Sequence, residues 1–500
     1  MVYGIRMHGV ARPGEKSIPV QKTGCFGTGR LIKKTRSVCP ECLNPVGAGV
    51  YERSGQVWLD KRCPEHGSFS ALLSRDLRHY YEPADKISAG RSCCGGTMTC
   101  GDPLTNHSCT ILIEITERCN LTCPTCYAGS SPQHSKMMSR KEFTRQVDQL
   151  VANGKAGADM IQLSGGEPTI HPQLFAMIDI LAERGFTNVC INTNGIKLAS
   201  LAFAEKLARG PASIFIYLQF DGFEKATYQA LRGRSDLLKV KRKAIENCLQ
   251  LGLGVHPVMT LTRGINDHEV GAFLNLALAY PEIKNVVIQP AMYSGRYENP
   301  QRVDRLTLAD TVQLVCSQFG VFAPEDFGPI PCSHPNCLSM AAAMRTDSGL
   351  IPISRYLPGF RTWDAEGNRE LIGRVTDTIN GPLAFSEALR WLTTGNNAGG
   401  LFNRLDDAEV DRLLNALLAW EMNGGDKGDI WDALFVVTIK PFMDAYTYDQ
   451  DRIDRCCVHI LDAEGNPVSF CEYNAVHRPR INAAAVQNTS SPPRIKVVLT

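Results

Sequence analysis

From Thr110 onward the chain alternates between two textures. Six short apolar runs, TILIEIT, DMIQLS, NVCINT, SIFIYLQF, GVHPVMTL and NVVIQP, are each followed by a stretch of helical length, such as SRKEFTRQVDQLVANG or HPQLFAMIDILAERG. The runs are short, rich in β-branched residues and bounded by Gly, Asn or Asp, which predicts buried strands. The stretches between them carry apolar residues at three- and four-residue spacing, which predicts amphipathic helices. Strand–helix alternation of this kind predicts an α/β fold with a parallel sheet. Closing or nearly closing that sheet gives a full or partial (β/α) barrel, with an open doubly wound sheet as the alternative.

The flanks read differently, and 500 residues exceed one hydrophobic core. Residues 30–72 hold the turn-rich VCPECL and RCPEHG around the strand-like GVYERSGQVWLDKR, a segment too small to be stable without a metal staple. GRSCCGGTMTCGDPLTNHSC, residues 90–109, has no period. Beyond about residue 300 the alternation stops. AFSEALRWL and DAEVDRLLNALLAWEM read as helices, a last group of cysteines follows at Cys456 to Cys471, and the polar tail NAAAVQNTSSPPRIKVVLT reads as loosely held. Three regions are expected: 1–90, 91–300 and 301–500.

Charge narrows the partners, since 53 Lys+Arg against 51 Asp+Glu leave a net +2. KVKRK at Lys239 to Lys243 reads as a solvated helix face, so nucleic acid is not expected. No run is long and apolar enough for a membrane helix and MVYGIRMHGVARPGEK lacks a signal-peptide core, which sets a cytoplasmic expectation. In that compartment 19 cysteines in tight local groups point to metal rather than disulfides.

Cys119, Cys123 and Cys126 form a C-x3-C-x2-C run directly after the first strand, and therefore on the face where barrels place active sites. Three thiolates can hold three irons of a [4Fe-4S] cluster and leave the fourth open; a zinc site with a distant fourth ligand is the competing reading. Cys39, Cys42, Cys63 and His66 form two similar knuckles suited to one tetrahedral metal, with Cys25 competing as the fourth ligand. Zinc and rubredoxin-like iron are both open there, as are a staple and an electron relay. Cys190, Cys248 and Cys316 read as core residues. KTGCFGTGR follows no convincing strand, so it is not a dinucleotide fingerprint.

The cysteine run with Tyr127 after it, SGGEPT after the second strand, NTNG after the third and QFDG after the fourth resemble the signature of radical S-adenosylmethionine (SAM) enzymes. The resemblance implies a partial (β/α)6 radical SAM barrel with a [4Fe-4S] cluster on Cys119, Cys123 and Cys126, its open iron bound by SAM. It further implies that Gly165, Gly166, Glu167 and Pro168 meet the methionine amino group, and that Thr193, Asn194, Gln219 and Asp221 meet ribose and carboxylate. Reductive SAM cleavage would then give a 5′-deoxyadenosyl radical.

Over about residues 30–475, CPECL, GINDHEVG, IQPAMYSGR, CSHPNC and DRCCVHILDAEGNPVSFCEYN resemble one multi-cluster subfamily. It includes archaeal tetraether lipid synthase and class D methyltransferase-like proteins proposed to act on a pterin. That resemblance implies an N-terminal rubredoxin-like or zinc-ribbon-like module with one mononuclear Fe or Zn, and a C-terminal auxiliary-cluster region. Two auxiliary [4Fe-4S] clusters would draw on Cys93, Cys94, Cys100, Cys109, Cys332, Cys337, Cys456, Cys457 and Cys471 in a partition left open. The leading expected reaction is C–C coupling of unactivated lipid chains, with peripheral membrane contact; methylation of a pterin or other small molecule comes second. A low-potential donor such as a ferredoxin or flavodoxin is expected with either. A non-catalytic zinc-ribbon binding protein is the reading from outside enzymology.

Overall fold

The computed structural model describes residues 28–80, 108–153, 160–297, 305–329, 333–346, 349–352 and 434–483. Two sheets organise them. The smaller is an antiparallel meander of β1 (Arg30–Val38), β2 (Pro45–Arg53), β3 (Gln56–Cys63) and β4 (Gly67–Ser74). Its own core is slight, built around Val50, Val57 and Leu59, as expected for a piece this short.

The larger sheet contains the six expected strands: β5 (Thr110–Thr116), β6 (Met160–Gly165), β7 (Asn188–Thr193), β8 (Ser213–Gln219), β9 (Gly254–Leu261) and β10 (Asn285–Pro290). Each is parallel to its neighbour, in the order β10-β9-β8-β7-β6-β5. Helices α1 (Arg140–Ala152), α2 (Leu174–Glu183), α3 (Leu201–Ala208), α4 (Lys225–Arg232), α5 (Leu237–Gln250) and α6 (Val270–Leu278) lie in the crossovers. The fold is α/β, and the strand order does not close on itself, so the barrel is partial.

The sheet continues past the sixth strand, where sequence texture had suggested a separate region. β13 (Leu434–Ile439) is parallel to β10, and β14 (Val458–Leu461) is parallel to β5. β11 (Ser339–Thr346) with β12 (Gly349–Pro352) at one edge and β15 (Pro467–Ser469) at the other add antiparallel caps. Residues far apart in sequence therefore cover both edges of the barrel sheet, which removes its unpaired backbone groups from solvent.

Strand periodicity explains what faces where. Ile111, Ile113 and Ile115, Ile161 and Leu163, Val189 and Ile191, Ile214, Ile216 and Leu218 all pack into one core beneath the helices. The alternate positions point inward. There the sequence places Gln162, Ser164, Asn192, Gln219, Thr260 and Gln289 among Leu112, Met160, Tyr217 and Val258, so the concave side is mixed where the convex side is apolar.

The small sheet docks on residues 444–451. Lys61 Nζ donates to the Ala445 carbonyl (2.6 Å) and Ser37 Oγ to that of Tyr448 (2.6 Å), while Lys33 pairs with Asp449 and Asp451. The helices expected in AFSEALRWL and DAEVDRLLNALLAWEM lie outside the described residues, as do Cys25, Cys93, Cys94, Cys100, Cys332 and most of the polar tail.

His256 on β9 faces the barrel interior, stacked on Tyr217 at 5.7 Å, with Nδ1 3.1 Å from Asn285 Nδ2. Burial holds its pKa down at about 4. The unfolded chain binds a proton there between about pH 6.5 and 4 and the folded chain does not, so this residue costs stability as pH falls through that window. Between pH 7 and 5, wild type should lose about 2 kcal/mol more than His256→Asn in urea denaturation of the metal-free protein. Parallel pH profiles would contradict this.

Candidate functional site

The turn after β6 lies directly on the cysteine loop. Gly166 N–H donates to the Thr116 carbonyl (2.7 Å) and Glu167 N–H to that of Arg118 (2.9 Å). A Cβ on Gly165 would stand 2.1 Å from the Thr116 carbonyl oxygen, and one on Gly166 2.1 Å from that of Arg118. The two glycines thus serve a backbone–backbone approach between two loops, where sequence reasoning assigned them to a ligand.

Glu167 is buried and accepts from Thr169 N–H (3.1 Å) and Oγ1 (2.5 Å), Thr193 Oγ1 (2.7 Å) and Asn194 N–H (2.8 Å). Burial nevertheless raises its pKa. Asn194 donates in turn to Asn120 Oδ1 (2.6 Å), and its carbonyl accepts from Lys241 Nζ (2.5 Å). Thr193 and Asn194 therefore tie the loop after β7 to both the Glu167 turn and the cysteine loop.

Cys119, Cys123 and Cys126 line one cavity of about 250 Å³ on the concave side, together with Tyr127, Gly165, Gly166, Glu167, Thr193, Asn194 and Gln219. Two expected contacts are elsewhere. Pro168 opens a short 3-10 turn behind Glu167 and does not reach the cavity. Asp221 is fully buried, with its oxygens on Arg232 Nε (2.7 Å) and Nη2 (2.6 Å) and on Thr260 N–H (3.1 Å). The buried carboxylate does not line the cavity, and its pairing orients Arg232.

Arg232 was not legible beforehand, yet it lines the cavity and donates to the Cys123 thiol. The available signal was LRG at the end of α4, where Gly233 takes φ 72° and ends the helix against the Thr122 carbonyl. Lys440 and Phe442, just after β13, and Phe470 line the cavity from the C-terminal part of the chain. Nothing in their local sequence marks them.

Electrostatics favour a cationic occupant at the three cysteines. Burial pushes the Cys119 thiol up to about 12, with Glu167 adding to the shift, and burial likewise raises Cys123 against the pull of Arg232. Thiols in such surroundings ionise only when a metal centre takes up their charge. Three convergent thiols on an open cavity therefore fit an iron–sulfur cluster with one free position.

The small sheet holds a second donor set, with Cys39, Cys42, Cys63 and His66 presenting one ligand atom each within 4.8 Å of one another. Cys42 and Cys63 Sγ are 3.9 Å apart, and His66 Nδ1 lies 3.5 Å from Cys63 Sγ. His66 completes this set. At the C-terminal end Cys337, Cys456 and Cys471 are near enough to act on one another's charge, and burial raises Cys456 to about 12 and Cys471 to about 11. Arg452 Nε donates to Cys337 Sγ (3.4 Å), while Cys109 and Cys457 sit where β5 and β14 begin, with Thr110 N–H on the Cys457 carbonyl.

Comparison with known proteins agrees with this geometry. Residues 113–277 match the radical SAM superfamily, and residues 31–75 match the HMPTM N-terminal zinc ribbon domain. The chain is 30% identical over 492 residues, 90% of its length and 95% of the relative's, to 7,8-dihydro-6-hydroxymethylpterin dimethyltransferase of Methanocaldococcus jannaschii. The chain belongs to the radical SAM family. This radical SAM enzyme is also 32% identical over 176 residues to GTP 3′,8-cyclase of Syntrophomonas wolfei, covering 34% of the chain and 51% of that relative. It is 32% identical over 217 residues, 41% of the chain and 52% of the relative, to the mitochondrial GTP 3′,8-cyclase of Arabidopsis thaliana. Among solved structures, Streptococcus suis SuiB bound to precursor peptide SuiA gives a TM-score of 0.36 at 17% identity, over 42% of this chain and 45% of that one.

Membership in the family implies a [4Fe-4S] cluster, SAM, a small-molecule substrate and a reductant, and it sets aside the non-catalytic zinc-ribbon reading. No helix among the described residues is long and apolar enough to cross a membrane.

Two outcomes are expected from variants at this site. Cys119→Ala, Cys123→Ala and Cys126→Ala should each abolish 5′-deoxyadenosine production from SAM in dithionite-reduced protein; product at the wild-type rate would refute the cluster placement. Asp221→Asn leaves the buried Arg232 uncompensated and should cost about 3 kcal/mol in chemical denaturation of the metal-free protein. A loss below about 0.5 kcal/mol would show that the pair is not a buried charge constraint.

Proposed function

We propose that this enzyme is a radical SAM methyltransferase whose substrate is a pterin or a closely similar flat, amide-bearing heterocycle. The carrying observation is the inner wall of the barrel. Gln162, Asn192, Gln219 and Gln289 present four side-chain amides from four strands, joined by Ser164 and Thr260. Gln162 donates to Asn192 and Asn192 to Ser164 Oγ (3.1 Å), a chain that fixes which way the amides point. Amides that both donate and accept suit the edge of a heterocycle whose own groups alternate in the same way. The printed substrate of the Methanocaldococcus jannaschii relative supports this choice.

The order of the two expected reactions is thereby reversed. An alkyl chain needs an apolar wall along its length, whereas here four amides interrupt the wall, and their remaining donors and acceptors find no partner on a chain of methylenes. Met292, Phe442 and Phe470 do supply an apolar flank to the cavity, which suits the face of a ring as well as a chain.

In this reading Cys119, Cys123 and Cys126 hold the [4Fe-4S] cluster, and Tyr127, Gly165, Gly166, Glu167, Thr193, Asn194 and Gln219 form the surroundings of SAM. The cluster with SAM supplies one-electron reductive cleavage and hydrogen abstraction. Arg232, oriented by Asp221, faces Cys123 and offers a cation to a ligand carboxylate. Cys39, Cys42, Cys63 and His66 hold one zinc or iron. Cys337, Cys456 and Cys471 contribute to an auxiliary cluster, with Cys109 and Cys457 close to the barrel edge. Two described strands past residue 300, β13 and β14, join the barrel sheet at its two ends. A ferredoxin or flavodoxin supplies the electron.

The deciding experiment incubates anaerobic, reduced enzyme and SAM with dihydropterins or with dialkyl lipids, and follows 5′-deoxyadenosine together with product mass. Methylated pterin, with 5′-deoxyadenosine above the substrate-free rate, is the expected outcome. Coupled lipid with no pterin product would overturn the proposal.

A further inference from the structure

The cysteine loop is held from a direction that its motif does not reveal. The loop after β10 brings up Gly295 and Arg296, and Arg296 meets four carbonyls of the cysteine loop. Its backbone N–H donates to the Cys126 carbonyl (3.0 Å), Nε to Cys123 (3.1 Å), Nη1 to Gly129 (2.7 Å) and Nη2 to Ser130. Within the loop itself the ties between these residues are few: Cys126 N–H to the Cys123 carbonyl and Gly129 N–H to that of Cys126. A planar fork holds its donors at fixed, spread positions and so fixes three carbonyls relative to one another, a geometry that the compact ammonium of a lysine does not reproduce.

Gly295 makes the approach feasible. It has φ 64°, and a Cβ there would stand 2.3 Å from the Tyr127 carbonyl oxygen and 2.4 Å from that of Cys126. The same segment is anchored on its far side. Tyr293 N–H donates to Asp444 Oδ2 (3.2 Å), Ser294 Oγ donates to the Asn474 carbonyl (3.0 Å), and Arg305 pairs with Asp444 while lying 4.9 Å from the Tyr293 ring centroid. The loop after β10 is thus a strut between the C-terminal part of the chain and the cysteine loop.

We propose that Arg296 is a positioning residue for the radical SAM reaction: it fixes the spacing of Cys123 and Cys126 by holding the carbonyls of the loop that carries them. The role rests on the assignment of the [4Fe-4S] cluster to these cysteines. A fixed fork on the loop backbone acts as an outer support for metal ligands. Arg296 does not line the cavity, so it acts through the loop rather than on substrate.

The test compares wild type with Arg296→Lys, Arg296→Gln and Gly295→Ala as reconstituted full-length enzyme. The readout is the SAM-responsive electron paramagnetic resonance signal of the reduced protein and its decay rate in an iron chelator, with circular dichroism as the folding control. Arg296→Lys keeps the charge but not the fork, and Gly295→Ala pushes the fork away. Both should lose the signal about 10- to 100-fold faster than wild type. Arg296→Gln, which also lacks the fork, should decay at least as fast as Arg296→Lys. If the Arg296 variants do not fold, the decay rate of Gly295→Ala decides. Wild-type decay in the folded variants would overturn the role of Arg296 alone, whereas a wild-type enzyme without a SAM-responsive signal would overturn the cluster assignment and this role with it.

Discussion

The site depends on the contact between two loop backbones at the mouth of the barrel. The Gly165–Gly166 turn sits so close to the carbonyls of Thr116 and Arg118 that no side chain fits between them. That approach fixes the start of the cysteine loop relative to the second strand. It also delivers Glu167 into a buried position where four donors converge on its carboxylate. Every later element builds on this junction: the loop after β7 closes it through Asn194 and Asn120, and α5 backs it with Lys241.

Charge is distributed around the junction with the same economy. Glu167 and Asp221 are buried carboxylates behind the cysteines, and Arg232 and Lys241 are buried cations beside them. Burial lowers the Lys241 ammonium to about 8, while Asp221 draws it upward. Such groups are tolerated away from water only when paired and hydrogen-bonded, so their positions are mutually fixed. The result is a rigid, preorganised wall on which three thiols and their occupant can be held without rearrangement.

The C-terminal part of the chain is integral to this arrangement. β13 and β14 extend the barrel sheet at both ends of the six-strand run, Lys440 and Phe442 enter the cavity, and Asp444 anchors the loop that carries Arg296. The small metal-binding sheet docks on the same stretch through Lys33, Ser37 and Lys61. Metal module, C-terminal strands and cysteine loop therefore share one mechanical path, of which residues 440–451 are the middle.

The sequence determined by itself whatever is local. All six barrel strands were legible because apolar β-branched residues occur in runs of strand length, and Thr110–Thr116, Asn188–Thr193, Gly254–Leu261 and Asn285–Pro290 coincide with the quoted runs. Cys119, Cys123 and Cys126 were legible because a cluster needs its thiolates close together in one loop, and the Cys39–His66 set because a knuckle is a short-range structure. Tertiary structure decided what depends on two distant segments meeting. It put Asp221 onto Arg232, set the two cavity-lining glycines against another loop, and selected which register of each strand faces inward. It also placed β13, β14 and Arg296 against the barrel across gaps of more than a hundred residues. A hydrogen bond of that kind leaves no trace in local periodicity, because its partner is set by which strands become neighbours and not by which residues are adjacent in the chain.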